Sequence, residues 1–139
     1  MDDERKNRYG DKINFIIERT EGIPRTNFDD DIIRDAAFYK IQTAIECVTD
    51  IVAMLVRDMG KDVGDDYHNL EILKDKNIID EEMYEKLKKL NGMRNIIVHR
   101  YNKIEEDLIF NNIDEIRKNI LNFIEISSFH SHISKISHF

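Results

Sequence analysis

The chain has 139 residues, 41% hydrophobic and 35% charged, which fits one domain and is too rich in apolar side chains for a disordered chain. Five glycines and one proline are too few to punctuate an all-β fold, and the single cysteine, Cys47, excludes an intramolecular disulfide framework or multi-cysteine metal cage and fits a reducing cytosol. The net charge of −7 argues against an indiscriminate nucleic-acid binder, and with no stretch near 18 consecutive apolar residues, neither secretion nor membrane spanning is expected.

The first element is a helix over about residues 3–19, because Ile13, Ile16 and Ile17 fall at i, i+3, i+4. Gly22, Pro24 and an Asn/Asp cluster then make a loop suited to capping the next helix. That helix, expected over about 29–58, carries Ile41, Ile45, Val48, Val52, Leu55 and Met59 at alternating spacings of four and three, a seam for shallow-angle packing. Asp29, Asp30 and Asp31 suit its start and Gly60 its stop. A short third helix is expected around 67–75. Asp80 caps a fourth, whose apolar face runs through Met83, Leu87 and Leu90, and Gly92 predicts a bend or break within it. The stretch KIEEDLIFNN reads as the approach to a last helix with Ile113, Ile116, Ile120 and Phe123 on one face, and about 127–139 as a frayed or mobile tail. The expected fold is all-α, an up-and-down bundle of four to five helices in a single domain spanning 1–139.

Charge is unevenly spread. From Lys86 to Lys103 there are six Lys or Arg and no Asp or Glu, so a local cationic stretch stands against the acidic whole. Within it, Arg94, Asn95, His99, Arg100, Tyr101 and Asn102 concentrate polar chemistry in a helix that otherwise feeds the core. At 100° per residue, Arg94 and Tyr101 fall within about 20° of one another, and Asn95 and His99 form a second column roughly 120° round the helix. An ideal helix does not bring Arg94 and His99 together; a bend, the long side chains or a second copy across a dimer interface would.

These residue types suit metal-free RNA cleavage. Histidine is the side-chain type suited to proton transfer near neutral pH, so His99 can take the 2′-hydroxyl proton or protonate the leaving 5′-oxygen. Arg94 offers a planar, permanently charged fork to the phosphate, and Asn95 can orient the imidazole or bind substrate. Lys86, Lys88, Lys89 and Arg100 would add sequence-independent affinity for the RNA backbone. The competing reading is an Arg/Tyr packing pair beside a surface histidine.

The octapeptide RNIIVHRY resembles the R-x4-H-x-Y motif of HepT-like HEPN proteins, with Arg94, His99 and Tyr101 at its fixed positions and Asn95 after the arginine. The preceding NIIDEEMYEKLKKLNGMRN and AIECVTDIV at 44–52, around Glu46 and Asp50, resemble the same family. The resemblance implies an all-α HEPN fold and a cytoplasmic homodimer whose motif segments line a shared cleft. It implies a metal-independent endoribonuclease toxin acting on tRNA or mRNA. It also implies an MntA-type nucleotidyltransferase antitoxin as partner, which transfers AMP from ATP to Tyr101. The alternative is a non-catalytic helical dimer that binds a nucleotidyltransferase or a nucleotide.

Other residues carry weaker signals. Cys47 beside the seam reads as core, and no metal site is expected from His130, His132 and His138. Glu46 and Asp50 read as salt-bridge supports for Arg94 or Arg100, and with no Gly-rich phosphate loop no cofactor is expected.

Overall fold

The structure, a computed structural model, describes residues 3–99 and 102–137, with side chains described through Ser128. The described residues form six helices and no strand: α1 (Asp3–Glu21), α2 (Asp31–Asp58), α3 (Asp66–Asp75), α4 (Glu81–His99), α5 (Lys103–Phe110) and α6 (Ile113–Ser137). The all-α expectation holds. The helix count exceeds it by one, because KIEEDLIF folds as α5 rather than as a connection.

Helix α2 is the axis of the bundle, packing against α1, α3, α4 and α6. Its predicted seam accounts for this: Ile41, Ile45, Val48, Val52 and Leu55 are all buried, and Met59 is partly so. Asp30 is its N-cap, with a side chain that accepts from the amides of Ile32 and Ile33 at 2.8 and 3.2 Å. The helix ends where Gly60 adopts φ +76°, allowing Lys61 N–H to donate to Val56 and Gly60 N–H to Arg57 in a Schellman turn.

Asp80 caps α4 through the Met83 amide at 2.8 Å. Helix α4 then runs unbroken through Gly92 to His99, so the break that Gly92 allowed does not occur. One glycine lowers local helix propensity by about 1 kcal/mol, less than is gained by burying Leu87, Leu90, Met93 and Ile97 on one face. Helix α5 is anchored by its last residue: Phe110 stacks on Phe28 at 4.1 Å between ring centroids and on Phe38 at 4.8 Å. Arg34 of α2 adds an ion pair to Glu106 at 3.3 Å. Helix α6 continues through the segment expected as a tail as far as Ser137.

Candidate active site

The site is built on the last two turns of α4. Ile97 and Met93 hold this end of the helix in the core, leaving Asn95, Val98 and His99 exposed. Arg94 is half-buried, and one guanidinium nitrogen lies 3.2 Å from the Asn95 side-chain oxygen and 3.4 Å from an Asp66 carboxylate oxygen on α3. The two columns seen in the sequence are therefore bridged by a side-chain contact within one continuous helix. Arg94 reaches round the helix to Asn95, and Asn95 precedes His99 by one helical turn. Arg100 and Tyr101 lie outside the described residues. Asn102 is the N-cap of α5, accepting from the Glu105 amide at 2.9 Å, so the motif is followed directly by a capped, anchored helix.

Asp66 was not found by sequence reasoning. It stands 28 residues before Arg94, on another helix, and no local spacing signals the pairing. Glu46 and Asp50, expected as supports for Arg94 or Arg100, do not meet Arg94: Asp50 pairs with Lys12 of α1 at 3.2 Å, and Glu46 accepts from Gln42 at 3.5 Å, while a pairing with Arg100 lies outside the described residues. The reason is rotational. Val48 and Val52 turn one face of α2 toward Leu70 and Leu87, which leaves Glu46 and Asp50 on the face beside Lys12 and Phe15. Asp66 lines the same small cavity as Val48 and Val52, of about 10 Å³, together with Thr49 and Asn91.

Of the expected RNA-binding cations, Arg100 lies outside the described residues, and Lys86, Lys88 and Lys89 point to different sides of α4. By helical geometry only Lys88 lies on the column of Asn95 and His99. It is 4.0 Å from Glu85 and above the Tyr84 ring. Lys86 pairs with Glu82 at 3.0 Å, and Lys89 crosses to Glu115 of α6 at 3.1 Å.

Cys47 is buried, and burial pushes its thiol up to about 11, so it stays a neutral core group at physiological pH. His68 contacts the Asp62 carbonyl at 3.2 Å, away from the motif. The side chains of His130, His132 and His138 lie outside the described ones. Among the described residues no three His, Cys, Asp or Glu side chains converge as a metal site, and no helix is long and apolar enough to cross a membrane.

The same arrangement of helices recurs in solved toxin structures. A chain of a toxin–antitoxin crystal structure with AMP-PNP superposes with a TM-score of 0.77 at 22% identity, covering 91% of this chain and 99% of that one. A tri-AMPylated HEPN toxin from Shewanella oneidensis, solved with its MNT antitoxin, gives 0.74 at 23% identity, covering 91% and 97%. These likenesses define the class: an all-helical protein with the fold of HEPN toxins. The particular family is set by sequence. Residues 10–126 match the model described as HepT-like, ribonuclease HepT-like. An Archaeoglobus fulgidus protein named "Putative RNase" is 45% identical over 121 residues, covering 87% of this chain and 91% of that relative. The chain belongs to the HepT-like ribonuclease family.

Proposed function

We propose that this chain is the toxin of a HepT/MntA-type pair, a cytoplasmic, homodimeric, metal-independent endoribonuclease that cuts tRNA or mRNA. The observation that carries the reading is the bridge at the end of α4. The Arg94 guanidinium lies 3.2 Å from Asn95, whose column continues to the exposed His99.

His99 accepts the proton of a ribose 2′-hydroxyl, whose oxygen attacks the adjacent phosphorus. The 5′-oxygen leaves with a proton, giving a 2′,3′-cyclic phosphate and a 5′-hydroxyl. Negative charge grows on the non-bridging phosphate oxygens, where the planar fork of Arg94 stabilises it. Asn95 holds the fork from one side. Lys88, on the same column, meets the RNA backbone first, while Lys86, Lys89 and Arg100 extend the attraction. Val98 within the motif, and Ile104 and Leu108 after it, are exposed apolar residues that supply surface for a second copy.

Regulation follows from Tyr101. Its phenolic oxygen attacks the α-phosphorus of ATP held by the nucleotidyltransferase partner, pyrophosphate leaves, and AMP remains on the tyrosine. The added phosphate places negative charge beside Arg94 and closes the site to RNA. The R-x4-H-x-Y spacing and the tri-AMPylated state of the S. oneidensis toxin in complex with its antitoxin support this reading.

The test is intact-mass analysis of the chain after incubation with an MntA-type enzyme and ATP, together with an RNA-cleavage assay. The expected result is one or more AMP increments that Tyr101→Phe abolishes, with cleavage lost as the increments appear. Cleavage that persists on a fully modified chain would contradict the regulatory step. A partner that binds while unmodified chain leaves RNA intact would favour the non-catalytic dimer.

A further inference from the structure

The geometry points to Asp66 as a positioning residue that fixes the Arg94 guanidinium for the phosphate, a role that rests on the ribonuclease reading above. Asp66 lies 3.4 Å from the same Arg94 nitrogen that reaches Asn95 at 3.2 Å, so the fork is held from two sides by groups on two helices. A long arginine side chain left in solvent samples many rotamers. Two fixed acceptors remove most of that freedom before substrate arrives.

The carboxylate is itself mounted rigidly. Asp65 caps α3 through the His68 amide at 2.8 Å, and the buried Asn69 side chain clasps the preceding loop. It accepts from the Gly64 amide at 2.8 Å and donates to the Gly64 carbonyl at 3.2 Å. An added Cβ at Gly64 would sit 2.5 Å from the His68 ring, so a larger residue there would require that side chain to move. Leu70 and Leu73, one and two turns further along the same face of α3, are buried in the core. Asp66 therefore sits on a fixed helix rather than a loose loop, as a residue that orients a catalytic group requires.

The chemistry gives the pairing a distinctive signature. Asp66 holds Arg94 in place but also opposes it electrostatically, because an incoming phosphate competes with the carboxylate for the same cation. Removing the charge should loosen the fork and slow the chemical step, while the attraction of the site for RNA is kept or increased. A purely structural lesion would weaken both.

The experiment compares wild type, Asp66→Asn and Asp66→Glu as full-length, correctly folded protein, the fold checked by circular dichroism and thermal melting. Two readouts are taken: kcat and KM on a short RNA, and the side-chain Nε–Hε NMR signal of Arg94, assigned with Arg94→Lys. For Asp66→Asn, kcat should fall about 10- to 100-fold, the scale of lost orientation, with KM unchanged or lower. The Arg94 signal should broaden toward that of a free arginine. Asp66→Glu should restore part of both. An Asp66→Asn variant with wild-type kcat and an unchanged Arg94 signal overturns the assignment. If wild-type protein leaves RNA intact, the ribonuclease reading fails on its own. The NMR signal then decides whether Asp66 immobilises Arg94, an unchanged signal overturning that too.

Discussion

Arg94 illustrates what single residues contribute here. Its charge alone would be met by lysine, but the guanidinium uses one terminal nitrogen for Asp66 and Asn95 and keeps its other nitrogens for a phosphate, whereas an ammonium has one nitrogen to share among all three. Arg94→Lys is therefore expected to reduce kcat by about 100-fold, within the range for losing one preorganised transition-state donor, with little change in thermal stability, as single-turnover cleavage and a melting curve would show. Arg94, Asn95 and His99 were legible because their spacing is local and a helix fixes the rest. Asp66 was not, because pairing across two helices depends on how α3 seats on α2 and α4. Tyr9 escaped notice for the same reason. It is buried and its hydroxyl donates to Asp58 at 2.6 Å, 49 residues away. Burial first, and then the bond to Asp58 with its negative charge, raise the Tyr9 pKa well above the usual tyrosine value. The neutral phenol is thus favoured more in the folded than in the unfolded chain. Its stabilising contribution is complete below about pH 10, the ordinary tyrosine pKa, and is lost as pH rises above that. Urea titrations between pH 8 and 11 should show stability falling at the alkaline end, with a shallower fall in Tyr9→Phe.

At the scale of elements, the sequence foretold most of the helices and misjudged two features of them. The four-three apolar alternation along α2 and the aspartate caps of α2 and α4 needed no tertiary information, since each acts within its own helix. Gly92 was overweighted as a break, because local propensity was set against burial that only the assembled bundle reveals. An added Cβ at Gly92 meets nothing within 4 Å, and the residue lies inside α4. Gly92→Ala should therefore stabilise the fold by about 0.5–1 kcal/mol, read as a higher urea midpoint with unchanged m-value. A destabilised variant would mean that another chain occupies that space. Helix α5 was missed for its eight-residue length, although Asn102 and Glu105 carry a capping signature in the sequence itself. Its hold on the bundle comes from the fully buried Ile109 and from Phe110, which is only partly buried. Phe110→Ala should cost about 2–3 kcal/mol, less than a fully buried phenylalanine, and should slow cleavage by loosening the segment that follows the motif.

At the scale of the molecule, the chain combines an acidic surface with one cationic stretch, and the site end of the bundle also exposes apolar side chains. Ile104 is 81% exposed and Val98 53%. In the proposed homodimer, which pools two motif segments, a second copy would cover these residues. Ile104→Glu is expected to halve the mass measured by light scattering and to reduce cleavage in parallel. A monomeric yet fully active variant would separate dimerisation from function. Dimerisation was expected from the family resemblance and not from any single residue, because an interface is a property of two surfaces and one sequence pattern does not define its partner.

The central claim is that Arg94 and His99 cleave RNA without a metal ion. The most direct measurement is the end-group chemistry of RNA incubated with purified, unmodified protein in EDTA, alongside Arg94→Ala and His99→Ala variants of wild-type helicity. The account predicts fragments ending in 2′,3′-cyclic phosphate and beginning with 5′-hydroxyl from the wild type, and intact RNA from both variants. Cleavage that disappears in EDTA, or that survives the loss of His99, would contradict it.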